Sequence, residues 1–163
     1  MIDLEPWHDI MIACSAAAAT LAGLILTAMA VNIDAILKYR SLPSRAGSAI
    51  GSLIFVLVLT VAALIPGITA AELGWLTLAV LLAPIAIHVD VMVRQLQIVP
   101  RQSFGRLWSK VGLAVGQVAP FVVSGILFLE GSSLGLAWMV VGALTVFIGS
   151  VVTSWVLLVE IRR

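Results

Sequence analysis

Five long apolar stretches constrain this chain more than any other feature of its sequence. They cover about residues 10–31, 46–65, 73–93, 111–129 and 134–159. A helix needs roughly 20 mostly apolar residues to cross the hydrocarbon core of a bilayer, and each stretch is close to that length. A membrane-crossing strand would alternate apolar and polar residues, whereas these stretches are continuously apolar. The sequence therefore predicts an all-α fold, a polytopic transmembrane helical bundle with five spans.

The composition supports one membrane domain that covers residues 1–163. The chain is 62% hydrophobic and 10% charged, whereas an ordinary soluble domain is roughly 45–50% apolar and about 25% charged. A water-soluble fold of this length could not bury so much apolar surface, so the excess is expected to face lipid. The net charge of +1 gives no reason to expect a nucleic-acid partner.

The charged residues divide the connections between spans into two kinds. Every lysine and arginine lies between the first and second spans, between the third and fourth, or after the fifth. The other side carries only acids: Asp3, Glu5, Asp9, Glu72 and Glu130. Because basic connections remain in the cytoplasm, the sequence predicts an N-out, C-in topology. The acidic start lacks the basic region of a signal peptide, so we expect the first stretch to be a retained span.

Glycines recur at spacings that let helices approach closely. Small residues at every fourth or seventh position permit backbone contact between membrane helices. The sequence predicts that such glycines pack helices: Gly23, Gly47, Gly51, Gly112, Gly116, Gly142 and Gly149. Spacing alone leaves open whether each glycine meets a helix of the same chain or of a second subunit.

Polar residues gather where three spans are predicted to end at the cytoplasmic face. This candidate inner collar, or ion pathway, contains Asn32, Asp34, His88, Asp90, Arg94 and Glu160. Acids are unfavourable at a helix C-terminus, because the helix dipole is negative there. Two interpretations stay open. The acids form ion pairs with the neighbouring bases, or Asp34, Asp90 and Glu160 attract a cation into a vestibule beside the titratable His88.

Gln117 is the amide placed deepest in a predicted span. It lies three residues before Pro120, which is expected to kink the fourth span as Pro84 kinks the third. The amide either bridges two helices or faces a cavity, and the sequence favours bridging.

The sequence predicts neither an enzyme nor a cofactor or metal site. It contains no H-E-x-x-H, Walker, G-x-S-x-G or C-x-x-C motif. His88 and Asp90 are two positions apart, which places them roughly 200° apart around a helix and prevents a shared ligand. The single cysteine, Cys14, allows no disulfide within the chain.

Several segments resemble a family of uncharacterised bacterial five-span integral membrane proteins. They are Trp7-His8-Asp9, the run from Ala19 to Asp34, the loop Leu42-Pro-Ser-Arg-Ala46 and the closing Trp155-Val-Leu-Leu-Val-Glu-Ile161. The resemblance covers nearly the whole chain and implies a multi-pass protein of the bacterial plasma (inner) membrane. Some members are labelled modulators of a membrane protease. The resemblance implies no established activity or site residues.

Two functional hypotheses follow. The first is a homo-oligomeric ion channel, for cations, with an acidic cytoplasmic vestibule. The alternative is a non-catalytic accessory or scaffold subunit that binds another membrane protein or a protease. The expected partners are the lipid bilayer, a second copy of the chain or another membrane protein.

Overall fold

The computed structural model describes residues 5–33, 42–98 and 104–161, with side chains for all but 42–45, most of 87–98 and 104–114, and 156–161. A short 3-10 helix, Glu5–Trp7, leads into five long helices. They are α1 (His8–Val31), α2 (Leu42–Ala63), α3 (Ala70–Ile98), α4 (Phe104–Leu129) and α5 (Leu134–Ile161). The described residues contain no strand, which confirms the predicted all-α class.

Three of the helices contain described stretches that are long and apolar enough to cross a bilayer. These stretches are Glu5–Val31, Ala46–Ala63 and Leu134–Trp155. Two shorter apolar stretches, Ala70–Ala86 and Val115–Leu129, lie in α3 and α4. This pattern is consistent with a membrane protein.

The α4–α5 connection is closed by a glycine in the left-handed region. Gly131 has φ +77°, a conformation that glycine adopts without steric cost. Its N–H donates to the Phe128 carbonyl at 2.9 Å, and the N–H of Ser132 donates to the Leu127 carbonyl at 2.9 Å. This pair of bonds is the Schellman arrangement, which satisfies the last carbonyls of α4.

The α2–α3 connection ends in a capping box. The N–H of Thr69 donates to Glu72 Oε2 at 2.8 Å, and the N–H of Glu72 donates to Thr69 Oγ1 at 3.2 Å. The Thr69 hydroxyl also donates to Glu72 Oε2 at 2.8 Å. These bonds satisfy N–H groups that the first turn of α3 would otherwise leave free. The hydrogen bond from the Thr69 backbone, followed by that from its hydroxyl, lowers the pKa of Glu72 below its ordinary value of 4.5.

We expect Glu72→Ala to lower the thermal unfolding midpoint at neutral pH, and the difference from wild type to shrink in acid. A carboxyl whose folded pKa is depressed stabilises the fold above its ordinary pKa, and this contribution disappears as the pH falls through the folded value. Thermal unfolding of the purified protein in detergent, from neutral pH to below 4.5, measures the effect. Glu130→Ala, in the other turn, is the control. A wild-type–Glu72→Ala difference that stays constant with pH would contradict the prediction.

Four helices form a closed ring. The helices α2, α3, α4 and α5 each contact the next, and α5 returns to α2. The helix α1 packs outside this ring, against α2 and α5. One side of α1 is buried, at Met11, Cys14, Ala18, Ala22 and Ile25. These positions follow the three- and four-residue spacing of a single helix face, so α1 uses one face for the bundle and leaves the other outside.

Aromatic and aliphatic side chains fill the interior of the ring. Phe55 on α2 and Phe121 on α4 meet edge to face, with ring centroids 4.8 Å apart and planes at 82°. This is a favoured geometry for aromatic pairs. Further fully buried side chains surround them: Leu53, Val56, Leu59, Phe128, Leu136 and Met139. The interior is therefore packed at the level of the phenylalanine pair.

Glycines of α5 receive side chains of α4 at seven-residue intervals. A Cβ added at Gly142 would lie 2.7 Å from the ring of Phe121, and one at Gly135 would lie 2.6 Å from that of Phe128. The Gln117 amide occupies the corresponding place at Gly149. Near Gly135, the buried Ser124 hydroxyl donates to the glycine's carbonyl at 2.7 Å. In the described part of the chain, α4 and α5 therefore pack through three glycines of α5 that each receive an α4 side chain, and through one hydrogen bond between the two helices.

The α3–α4 pair also depends on glycine. A Cβ added at Gly74 would lie 3.0 Å from the carbonyl oxygen of Gly125 and 3.0 Å from Leu129 Cδ2. Backbones that approach this closely need small residues at the crossing. Neither Gly74 nor Gly125 is among the glycines that the sequence predicted as packing positions.

Candidate functional site

The predicted inner collar lies mostly outside the described side chains. Asp34 is outside the described residues altogether. His88, Asp90 and Arg94 lie on α3 and Glu160 lies on α5, all within the described helices but without described side chains. The ion pairs and the vestibule therefore both stay predictions.

Asn32 is the collar residue whose side chain the structure describes. It follows the last residue of α1, and its Nδ2 donates to the Ala28 carbonyl at 2.9 Å. Its backbone N–H donates to the Met29 carbonyl at 3.1 Å. The side-chain amide thereby satisfies one of the last carbonyls of α1, which lack partners within the helix. In this structure Asn32 caps α1.

Gln117 lies at the contact between α4 and α5, with its amide against Gly149. The next residue, Ser150, is 2% exposed, and its hydroxyl has no hydrogen-bond partner in the described part of the chain. Nearby hydroxyls are bonded to their own helix: Thr153 to the Gly149 carbonyl at 2.7 Å and Ser154 to the Ser150 carbonyl at 2.7 Å. A buried hydroxyl without a partner costs free energy. The Ser150 hydroxyl can therefore form a hydrogen bond with a polar neighbour or water.

Ser150 was not predicted from the sequence. Serine in a membrane helix usually bonds to the carbonyl four residues before it, as Ser52 does to Ser48 at 3.0 Å. Only the packing around a serine reveals that its hydroxyl lacks this bond. Nothing in the sequence separates Ser150 from Ser154.

Four of the other predicted glycines are open on one side. Among the described residues, no atom of another part of the chain would lie within 4 Å of a Cβ added at these positions: Gly23, Gly47, Gly112 and Gly116. These four, which we call the open glycines, lie on α1, α2 and α4. The structure places Gly142 and Gly149 inside the chain and the open glycines on its surface.

A narrow groove separates α2 from α3. Its volume is about 140 Å³. It is lined by Ser48, Gly51, Ser52, Ile54, Phe55 and Val58 from α2 and by Val80, Ala83 and Pro84 from α3. The groove thus includes Gly51, the seventh predicted packing glycine, and Pro84, the predicted kink position.

Ionisable groups are sparse in the described part of the chain. No three His, Cys, Asp or Glu side chains there lie close enough to hold a metal ion. His8 Nδ1 lies 3.5 Å from Asp9 Oδ1, and both side chains are exposed near the start of α1. The features available for function are therefore the open glycines, the polar side chains of Gln117 and Ser150, and the groove.

No family model, no curated protein and no solved structure matches this chain.

Proposed function

We propose that this chain is a non-catalytic assembly protein of the bacterial inner membrane. It crosses the membrane five times, with its N-terminus outside and its C-terminus in the cytoplasm, and it associates with further copies of itself. The single-sided distribution of lysine and arginine supports the topology. The continuous apolar stretches in α1, α2 and α5 support the membrane location.

The contrast between two sets of glycines carries the assembly proposal. Gly135, Gly142 and Gly149 are each occupied by a side chain from α4. The open glycines have the same small size, but no side chain of another described helix lies within 4 Å of the added Cβ. Small residues on a lipid-facing surface allow another helix to approach closely, which is the main source of helix association in membranes.

The positions of the open glycines favour a ring of copies. Gly23 lies 15 residues from the start of α1, and Gly116 lies 13 residues from the end of α4, which are depths of about 22 Å and about 20 Å below the outer helix ends. The two helices lie on different sides of α2, because α1 packs outside the ring and α4 lies across it. Contact between α1 of one copy and α4 of the next is head-to-tail, and such contacts form a ring when the rotation between successive copies closes.

Single-molecule photobleaching in lipid vesicles tests the proposal. Wild type is expected to form oligomers, and the double variant Gly112→Leu, Gly116→Leu is expected to be monomeric because two large side chains block the α4 face. Ala79→Leu, an exposed change on α3, is the control and should assemble like wild type. Monomeric wild type, or double variants that assemble normally, would overturn the proposal.

Disulfide trapping locates the contact. With the native Cys14 replaced by serine, Gly23→Cys and Gly116→Cys proteins are mixed in one membrane and oxidised. The α1–α4 arrangement predicts a mixed dimer in high yield, whereas a symmetric α4–α4 contact predicts Gly116→Cys homodimers. Either disulfide supports self-assembly, and only the first supports the ring.

A cation conductance between subunits is a second candidate. The Gln117 amide and the unpartnered Ser150 hydroxyl favour it, because they are polar groups inside an apolar bundle. A potassium-flux assay in the same vesicles tests for this conductance. Flux in wild type that is lost in the monomeric variant supports conductance, and no wild-type flux across pH and salt rejects it.

A further inference from the structure

The groove between α2 and α3 has the dimensions of a lipid site. Its lining residues on α2 run from Ser48 to Val58, a length of about 15 Å along the helix. That is half of a hydrocarbon core of roughly 30 Å, so the groove is about as long as the acyl region of one leaflet. Its volume of about 140 Å³ is far too small for a helix, which is about 10–12 Å wide.

The walls of the groove are mostly apolar. Six of its side chains are aliphatic or aromatic carbon: Ile54, Phe55, Val58, Val80, Ala83 and Pro84. The Ser52 hydroxyl donates to the Ser48 carbonyl at 3.0 Å, within its own helix. Such a wall offers water few hydrogen-bond partners and suits an apolar ligand.

The mouth of the groove opens away from the bundle. Ile54 and Val58 on its rim are 48% and 42% exposed, and in a membrane those surfaces meet acyl chains. Phe55, at the floor, is 5% exposed and contacts Phe121 of the interior. The groove is therefore a lateral opening that ends at the packed core.

A basic residue of the sequence lies on α2 just beyond one end of the groove. Arg45 belongs to α2 and precedes Ser48 by three residues, about 4.5 Å along the axis. The sequence places all nine basic residues on this side of the predicted membrane. Basic residues at a membrane surface attract anionic headgroups. An acyl chain that follows the groove towards Ser48 brings its headgroup to this level.

We infer that the groove binds one acyl chain of an anionic phospholipid of the inner leaflet, with the headgroup at the basic end of α2. The chain fills the space between Gly51 and Ala83, and the phosphate takes up the positive charge near Arg45. The site needs neither assembly of subunits nor conductance, but its place in the inner leaflet rests on the topology stated in the proposed function.

Native mass spectrometry of the full-length protein in detergent tests the inference. Phosphatidylglycerol and phosphatidylcholine with identical acyl chains are added in turn. Wild type is expected to retain one phosphatidylglycerol, in preference to phosphatidylcholine by at least about fivefold, since one basic residue near a surface contributes about that factor. Equal retention of the two lipids would contradict the proposed preference for an anionic headgroup.

Two variants assign the lipid to the groove, and a third provides the control. Ala83→Leu fills the groove and should abolish the preferential retention, and Arg45→Gln should lower the preference while leaving total lipid binding. Ala79→Leu, one turn away on α3 and outside the lining, should behave like wild type. Measuring these changes in the monomeric Gly112→Leu, Gly116→Leu protein keeps the result separate from assembly. Unchanged retention in folded Ala83→Leu protein, checked by circular dichroism, would overturn the inference.

Discussion

Gly142→Ala is expected to lower the free energy of unfolding by about 2–3 kcal/mol, the upper range for overpacking of a tight interior. The added Cβ would lie 2.7 Å from the ring of Phe121, so something must move. That ring is fully buried and lies edge to face against Phe55. It therefore cannot swing aside as an exposed flexible side chain would. Unfolding of monomeric protein in mixed micelles by increasing amounts of a denaturing detergent measures the loss.

Gly116→Ala is the matched control for Gly142→Ala. Both substitutions replace a helical glycine by alanine, which by itself favours the helix by about 1 kcal/mol. At Gly116 no atom from another part of the described chain lies within 4 Å of the added Cβ, so this variant should be as stable as wild type or more stable. Equal stability of the two variants would show that Phe121 does not pack on Gly142.

A second substitution tests the reason for the loss. Phe121→Leu replaces a rigid ring by a shorter side chain with more freedom. Phe121→Leu should lower the free energy of unfolding less in the Gly142→Ala protein than in wild type, because it removes the atoms that the new methyl group would meet. A coupling free energy of about 1 kcal/mol or more is expected from such contacting residues. Additive effects would contradict the proposed contact.

The helices were predictable because bilayer length and hydropathy limit the choices. Each apolar stretch lies mostly within one helix, but the sequence placed the third at residues 73–93, whereas α3 covers Ala70–Ile98. The fourth was placed at 111–129, whereas α4 begins at Phe104. In both cases the helix continues into polar sequence, because intrahelical hydrogen bonds do not require an apolar surrounding.

Packing partners were less predictable than helices. Spacing identified Gly142 and Gly116 as equally suitable for close approach, yet the first lies under Phe121 and the second faces outward. Spacing describes one helix, whereas packing depends on which helix lies opposite. The crossing of Gly74 and Gly125 had no regular spacing to reveal it.

Phe55→Ala is expected to destabilise the protein by about 3–4 kcal/mol, the lower part of the range for truncating a buried aromatic residue. Phe55 is 5% exposed, meets Phe121 with centroids 4.8 Å apart, and lines the floor of the groove. In lipid, the loss is mainly lost packing, because the surrounding chains are themselves apolar. Its neighbour Ile54 is 48% exposed on the rim of the same groove. Ile54→Ala is therefore the control, and should change stability by less than about 1 kcal/mol.

Phe55→Ala also tests whether the interior of the bundle depends on the contact between Phe55 and Phe121. Removing the Phe55 ring joins the groove to the space beside Phe121, so the interior gains a cavity open to lipid. If an acyl chain enters that cavity, added phosphatidylglycerol should restore part of the lost stability in Phe55→Ala and little in Ile54→Ala. A double-mutant cycle with Phe121→Ala should give a coupling of about 0.5–1.5 kcal/mol for the ring pair. A coupling near zero would show that Phe55 acts through the groove wall alone, and that the interior does not depend on the contact between α2 and α4.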